Sequence, residues 1–317
     1  MAATTDFVSA QKVNRRNTMV LLAALTALAA LLGYMIGWVL ETESSNTVPL
    51  LSKGGVAVAA LMAAVSVGWS TISLAFGDKM VLAMANAKEI DKADAPQLYN
   101  VVEEMAIAAG VPMPKVMVLE TDALNAFATG NKPANGTIAV TRGLLNALNR
   151  DELQGVVAHE MSHLANLDTR YMVVVGVTVG LIALVCDMLL RNLAWGRGNR
   201  SSSSDKKGGG AVILIILLIV VAILAPIAAK FVQMAVSRQR EYLADATSVQ
   251  FTRNPNGLIS ALGKLAEKAE PFPGVSRATQ HLFIVNPVQT FTAKSSALLA
   301  THPDIEDRIA RLRNLGA

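Results

Sequence analysis

Apolar residues fall into four long runs separated by polar stretches. Thr18–Leu40 and Gly54–Phe76 contain no charged residue. Each is longer than the roughly 20 residues a helix needs to cross a bilayer. Met172–Leu190 is a third run, interrupted by Asp187. Ala211–Ala229 is a fourth, with Pro226 near its end, where a kink is expected. The pattern predicts a short N-terminal tail over 1–17 and a membrane hairpin over 18–77, with spans 18–40 and 54–76. A soluble block then covers 78–171. A second hairpin covers 172–229, with spans 172–190 and 211–229 joined by a flexible basic loop at 191–210. That loop contains SSSSDKKGGG. A second soluble block covers 230–317. Lys12, Arg15 and Arg16 ahead of an apolar run also describe a signal peptide, but 18–40 exceeds a 7–15-residue signal core, so an uncleaved anchor is expected.

Periodicity within the first soluble block predicts a helix over Ala95–Ala109, stopped by Gly110. KVMVL at 115–119 reads as a strand following Pro114. NAFATG at 125–130 and TIAVT at 137–141 read as two more, and the intervening NKPANG reads as the turn of a hairpin. A helix over 142–148 leads into Asn149–Asn166, read as one amphipathic helix. Asn149 caps it, and Glu152 three residues on completes a capping box. The block 230–317 is mostly helical by pattern. The expected fold is a mainly α integral membrane protein, with four transmembrane helices and an α+β domain at the membrane surface.

Composition strengthens the membrane reading. The chain of 317 residues is 52% hydrophobic and 16% charged, with mean hydropathy +0.42. Soluble domains average about 25% charged. The net charge of +4 is not gathered into a long or aromatic-interleaved basic block. It reads as membrane-topology charge rather than a nucleic-acid surface. The single cysteine, Cys186, allows no internal disulfide and lies in an apolar run.

The chemistry is concentrated in HEMSH, His159–His163. Histidines at i and i+4 share one helix face, so their rings can converge on one cation. Glu160 beside the first histidine stands where the general base of the HExxH metallopeptidases stands. Catalytic zinc sites usually take three protein ligands and keep one position open. Candidates for the third are His281, His302 and Glu241, the last in SRQREYLADA, where Glu241 and Asp245 are also i and i+4. With Glu241 as ligand, Asp245 could accept the outer N–H of a ligand histidine, and Arg238 and Arg240 could hold the carboxylates.

HEMSHLANLD, followed after a membrane hairpin by SRQREYLADA, resembles the HtpX-type membrane zinc proteases, relatives of the type I CAAX prenyl proteases. NAFATG is similar to that family's substrate-binding edge strand. HLFIVNP at 281–287 and THPDIEDRIARL at 301–312 resemble its C-terminal signature. The resemblance covers essentially the whole chain. It implies a gluzincin core with one Zn²⁺ per subunit held by His159, His163 and Glu241, with Glu160 as catalytic base. It also implies a role in stress response, removing damaged membrane proteins. One position departs from the pattern: Leu167 stands where relatives commonly have Gly, which bears on the local helix ending.

The expected function is therefore a membrane-bound zinc endopeptidase acting on membrane proteins or unfolded polypeptides, with no nucleic-acid partner. His302 and Arg308 are candidate donors to the developing oxyanion. Asn125 and the NAFATG strand are candidates for pairing with an extended peptide. The alternatives are a prenyl-protein protease, a transporter built around Asp187, or a zinc-binding scaffold without proteolysis. A shared metal site requires both soluble blocks on one side of the bilayer. The connections from His163 to Met172 and from Ala229 to Glu241 span only about 14 and 18 Å as helix, so the metal is expected close to the membrane surface. Lys and Arg near the spans favour the blocks' side, which predicts a multi-pass protein of a bacterial cytoplasmic membrane with its catalytic domain in the cytoplasm. The basic loop 191–210 runs against that balance.

Overall fold

The computed structural model describes residues 7–45, 51–175, 177, 238–267, 284 and 303–315. Most of the third apolar run, all of the fourth, the loop between them, His281 and His302 lie outside these. The chain divides into two compact units.

The apolar unit comprises Thr18–Ser73 and Thr178–Phe231. Its described helical part is residues 18–45 and 53–73 of two long helices, α1 (Phe7–Ser45) and α2 (Lys53–Met84). Among the described residues these two are long and apolar enough to cross a membrane, over Lys12–Trp38 and Lys53–Met84. They pack through small residues: a Cβ on Gly37 would lie 2.3 Å from the Gly54 carbonyl oxygen, and one on Gly33 would lie 2.8 Å from that of Val58. Only glycine permits backbones so close. Outside that seam Val20, Leu31, Leu61 and Val65 are all exposed by more than half. A water-facing surface disfavours such residues, and a hydrocarbon-facing one favours them. At the turn, the Glu41 carboxylate accepts from the Ser52 hydroxyl and the Gly54 N–H, capping the start of α2.

The second unit comprises Met1–Asn17, Leu74–Val177 and Val232–Ala317. Its sheet has the order β1-β2-β4-β3, with β1 at Lys88–Glu89, β2 at Lys115–Leu119, β3 at Ala126–Thr129 and β4 at Thr137–Thr141. β2 and β4 run parallel, with Val116 opposite Ile138. β3 and β4 form the antiparallel hairpin that the turn residues predict, with Phe127 opposite Ala139. β3 is thus an edge. The two-residue β1 carries no hydrophobic alternation, and the sequence reading has no strand there.

Helix α3 (Pro96–Ala109) starts with Pro in its first turn and stops at Gly110, whose φ of 66° lets its N–H reach back to Ala106 and Ile107. A short helix α4 (Arg142–Ala147) is capped by Thr141 and leads to α5 (Arg150–Ala165). Both halves of the Asn149/Glu152 capping box are formed. α5 is the axis of the unit. The sequence suggests an amphipathic helix, but Leu153 and every residue from Gly155 to Ala165 are buried. The sheet covers α5 on one side. α3, α6 (Arg238–Thr252) and α7 (Pro255–Glu267) cover the others. A helix enclosed in this way has no polar face to alternate with. Leu98, Val102, Val118, Ile138, Val157 and Met161 fill the space between sheet and helices. A last helix, α8 (Ile305–Leu315), packs on α6 and α7.

Candidate metal centre

Two buried histidines of α5 meet at a single point. His159 and His163 lie one turn apart, with ring centroids 4.8 Å apart and planes at 89°. Opposite them, α6 presents Glu241. His159 Nε2 is 3.6 Å from one Glu241 oxygen, and His163 Nε2 is 3.7 Å from the other. Ligand atoms of His159, His163 and Glu241 all lie within 4.8 Å of one another, and all three residues are buried. Two neutral imidazole nitrogens and a carboxylate form a donor set suited to Zn²⁺.

The Nδ1 side of each ring is held by a carboxylate. His159 Nδ1 lies 2.9 Å from Asp245, one turn after Glu241. His163 Nδ1 lies 3.0 Å from Asp168. With both Nδ1 atoms engaged, both Nε2 atoms are aimed at Glu241. Burial opposes a charged His159, but Asp245 and Glu241 overcome it and raise the pKa to about 9.

Arg308 of α8 is fully buried and grips Asp245 with two bonds, Nε to Oδ2 at 2.9 Å and Nη2 to Oδ1 at 2.7 Å. Its Nη1 is 3.6 Å from Glu241. Burial alone would raise Asp245, but Arg308 and His159 hold it down at about 2. The sequence suggests Arg238 and Arg240 for this task. Arg238 is exposed. Arg240 stacks on Tyr171 and lies 3.8 Å from Asp168 instead. The residue on Asp245 comes from 63 positions further on, a contact that no local spacing announces.

Glu160 is buried beside the histidines and accepts the backbone N–H of Ala128, on the edge strand. Burial raises its pKa above the ordinary carboxylate value, and the neighbouring histidines only partly offset this. Asn125 is buried at the head of β3. Its backbone is tied to Thr141, and its side-chain oxygen accepts from the Ala126 N–H. The strand's alternation turns the Ala126 and Ala128 backbone groups away from β4. Of these, the Ala126 carbonyl accepts from Ile284 N at 3.0 Å.

Asp168 is missing from the sequence-predicted set. It follows the end of α5, where Asn166 stays right-handed and Leu167 turns left-handed at φ 61°. That single reversal brings Asp168 back onto His163. The conformation of Leu167 is the one glycine adopts most easily.

An HExxH helix, a buried His–His–Glu donor set and an edge strand beside the glutamate together define a metallopeptidase. The family model of peptidase family M48 matches residues 92–316. A protease HtpX homolog of Thermoanaerobacter pseudethanolicus is 40% identical over 96% of each chain. One of Syntrophobacter fumaroxidans is 44% identical, over 95% of this chain and 99% of that one. The crystal structure of S. mikatae Ste24p superposes with a TM-score of 0.44 at 15% identity, covering 98% of this chain and 66% of that one. The chain belongs to peptidase family M48 and is a membrane-bound metalloendopeptidase.

Proposed function

We propose that the metal is zinc, one ion per chain, held by His159, His163 and Glu241, and that the substrates are membrane proteins and unfolded polypeptides. The observation that carries this reading is the convergence of the three buried donors, with Glu160 beside them but outside the set. Zinc held by these three residues would lower the pKa of a water to about 7 and would polarise the scissile carbonyl. Glu160 takes the proton from the attacking water and returns it to the leaving amine, and its raised pKa suits both halves of that task. Asp245 and Asp168 keep the two imidazoles in the tautomer that offers Nε2. Arg308 is committed to Asp245 and Glu241, which makes it a positioning residue for the donor set. Its Nη1 makes no hydrogen bond, so Arg308 stands beside His302, directly before the buried Pro303 in the chain, as a candidate donor to the oxyanion.

An extended substrate pairs with the outer edge of β3 near Asn125, competing with the Ile284 N–H for the Ala126 carbonyl. The long apolar helices of the first unit, with their exposed valines and leucines, suit a protease that meets its substrates at a bilayer. Removal of damaged membrane proteins under stress fits such a site, because unfolding supplies the extended segments that an edge strand accepts.

The test is metal analysis and cleavage of casein and of a model membrane protein by the purified full-length chain. About one zinc per chain is expected, with cleavage lost on chelation and regained on adding zinc. Cleavage that survives complete metal removal would overturn the reading.

A further inference from the structure

We infer that Asn14, on helix α1, is a positioning residue of the metal centre: its side-chain amide clamps Asp168 against the His163 ring. Asn14 is only 5% exposed. Its Nδ2 donates to Asp168 Oδ1 at 2.7 Å and to the Asn166 carbonyl at 2.9 Å. The other Asp168 oxygen, Oδ2, meets His163 Nδ1 at 3.0 Å. One amide therefore spans the carbonyl at the end of α5 and the carboxylate that orients the second histidine. Both acceptors flank Leu167, whose left-handed turn a β-carbon-bearing residue holds at some cost. A clamp across such a turn holds Asp168 where the local backbone alone would not. Arg240 stands off from Asp168 at 3.8 Å. Asn14 thus supplies the short, directional contact on the side of the carboxylate that His163 leaves open.

The sequence gives the inference a second aspect. Asn14 lies within the apolar candidate span Lys12–Trp38, at its polar start. A polar side chain in the anchor is expensive unless it is partnered, and here its partner belongs to the catalytic half of the unit. The N-terminal helix therefore does more than anchor the chain: its first turns complete the hydrogen-bonding around a metal ligand.

The inference rests on the zinc reading above, and the test separates the two. Zinc affinity of the purified full-length protein in detergent is measured by competition with a chromophoric chelator. This is done for the parent and for Asn14→Ala, Asn14→Leu, Asp168→Ala and the double variant Asn14→Ala with Asp168→Ala. Asn14→Leu keeps the volume without the donor, and so remains informative if the alanine variant does not fold. Removing an outer hydrogen-bond partner of a ligand histidine weakens metal binding by about 10- to 100-fold. A loss of about 10-fold is expected for either Asn14 variant. In the double variant the loss should be no larger than in Asp168→Ala alone, because the clamp has nothing left to hold. Peptide kcat should fall in parallel while KM stays near the parent value. Unchanged zinc affinity in both Asn14 variants, or losses that multiply in the double variant, would reduce Asn14 to a packing role. Parent protein whose zinc binding is indifferent to His159→Ala and His163→Ala would overturn the metal reading itself.

Discussion

At the scale of single residues, the centre separates tasks that the sequence places side by side. Glu160 and His159 are neighbours in the chain, yet the histidine turns to Asp245 and Glu241 while the glutamate turns to the edge strand. Glu160→Gln should therefore keep its zinc and lose peptide cleavage, measured as metal content beside turnover on the same sample. Near-normal turnover would remove Glu160 from the base position. Glu241→Ala should lose zinc far more completely than Arg238→Ala, since Glu241 faces both rings and Arg238 is exposed. Equal metal content in Glu241→Ala and the parent would send the third ligand to His281 or His302. Asp245→Ala should fall between, by about 10- to 100-fold in affinity or activity. Arg308→Leu leaves two carboxylates buried beside each other without their cation. Breaking such a pair costs about 3 to 5 kcal/mol, so the denaturant midpoint of the soluble unit should drop markedly. A midpoint equal to the parent's would show that the Arg308 charge does not hold α8 to the site.

At the scale of elements, α5 is fixed at its start and along its length by contacts with α7. Glu152 closes the capping box and also accepts from Ser260 and Lys264, each at 2.7 Å. Burial alone would raise Glu152, but Lys264, Ser260 and the cap lower its pKa below the ordinary value. A group depressed in the folded state adds stability that is complete above its unfolded pKa of about 4.3. That stability disappears as pH falls through the folded pKa. Glu152→Gln should therefore be less stable than the parent near pH 7, with the difference shrinking below about pH 4. Parallel stability curves down to acid would contradict this. Further along, a Cβ on Gly155 would sit 2.6 Å from Leu258 N. Gly155→Ala forces α5 and α7 apart four residues before His159, with a cost of about 1 to 3 kcal/mol. Gly263→Ala on the same α7 meets nothing within 4 Å and serves as the control. It should be neutral or stabilising by about 0.5 to 1 kcal/mol.

At the scale of the whole molecule, the question is which side of the membrane the two soluble blocks face. A metal site built from both blocks puts them on one side, and the basic residues near the spans favour the cytoplasm. The expected arrangement has 78–171 and 230–317 cytoplasmic and Glu41–Lys53 outside. With Cys186 replaced, single cysteines at Ser45, Ser203, Ser276 and Ala317 can be probed on intact cells with a membrane-impermeant thiol reagent. Ser45→Cys should label from outside, while Ser276→Cys and Ala317→Cys should be protected. Labelling of either of the latter would reverse the orientation. Protection of Ser203→Cys would mean instead that the hairpin over 172–229 enters the bilayer without exposing its basic loop.

What the sequence determined by itself is whatever depends on neighbours along the chain. The β3–β4 hairpin, the Gly110 stop, the capping box at Asn149 and the shared face of His159 and His163 all rest on contacts within a few residues. Spacing and turn chemistry encode such contacts directly. Glu241 was one of three candidates for a third ligand, beside His281 and His302, and the fold groups it with the two histidines. Tertiary structure alone decided the rest. It enclosed α5 on all sides, and so erased the polar face that an amphipathic helix would have. It brought Arg308 onto Asp245 across 63 positions, and Asn14 onto Asp168 across 154. A buried arginine and a buried asparagine are each stable only with specific partners, and a chain's local pattern does not record which distant partner folding will bring.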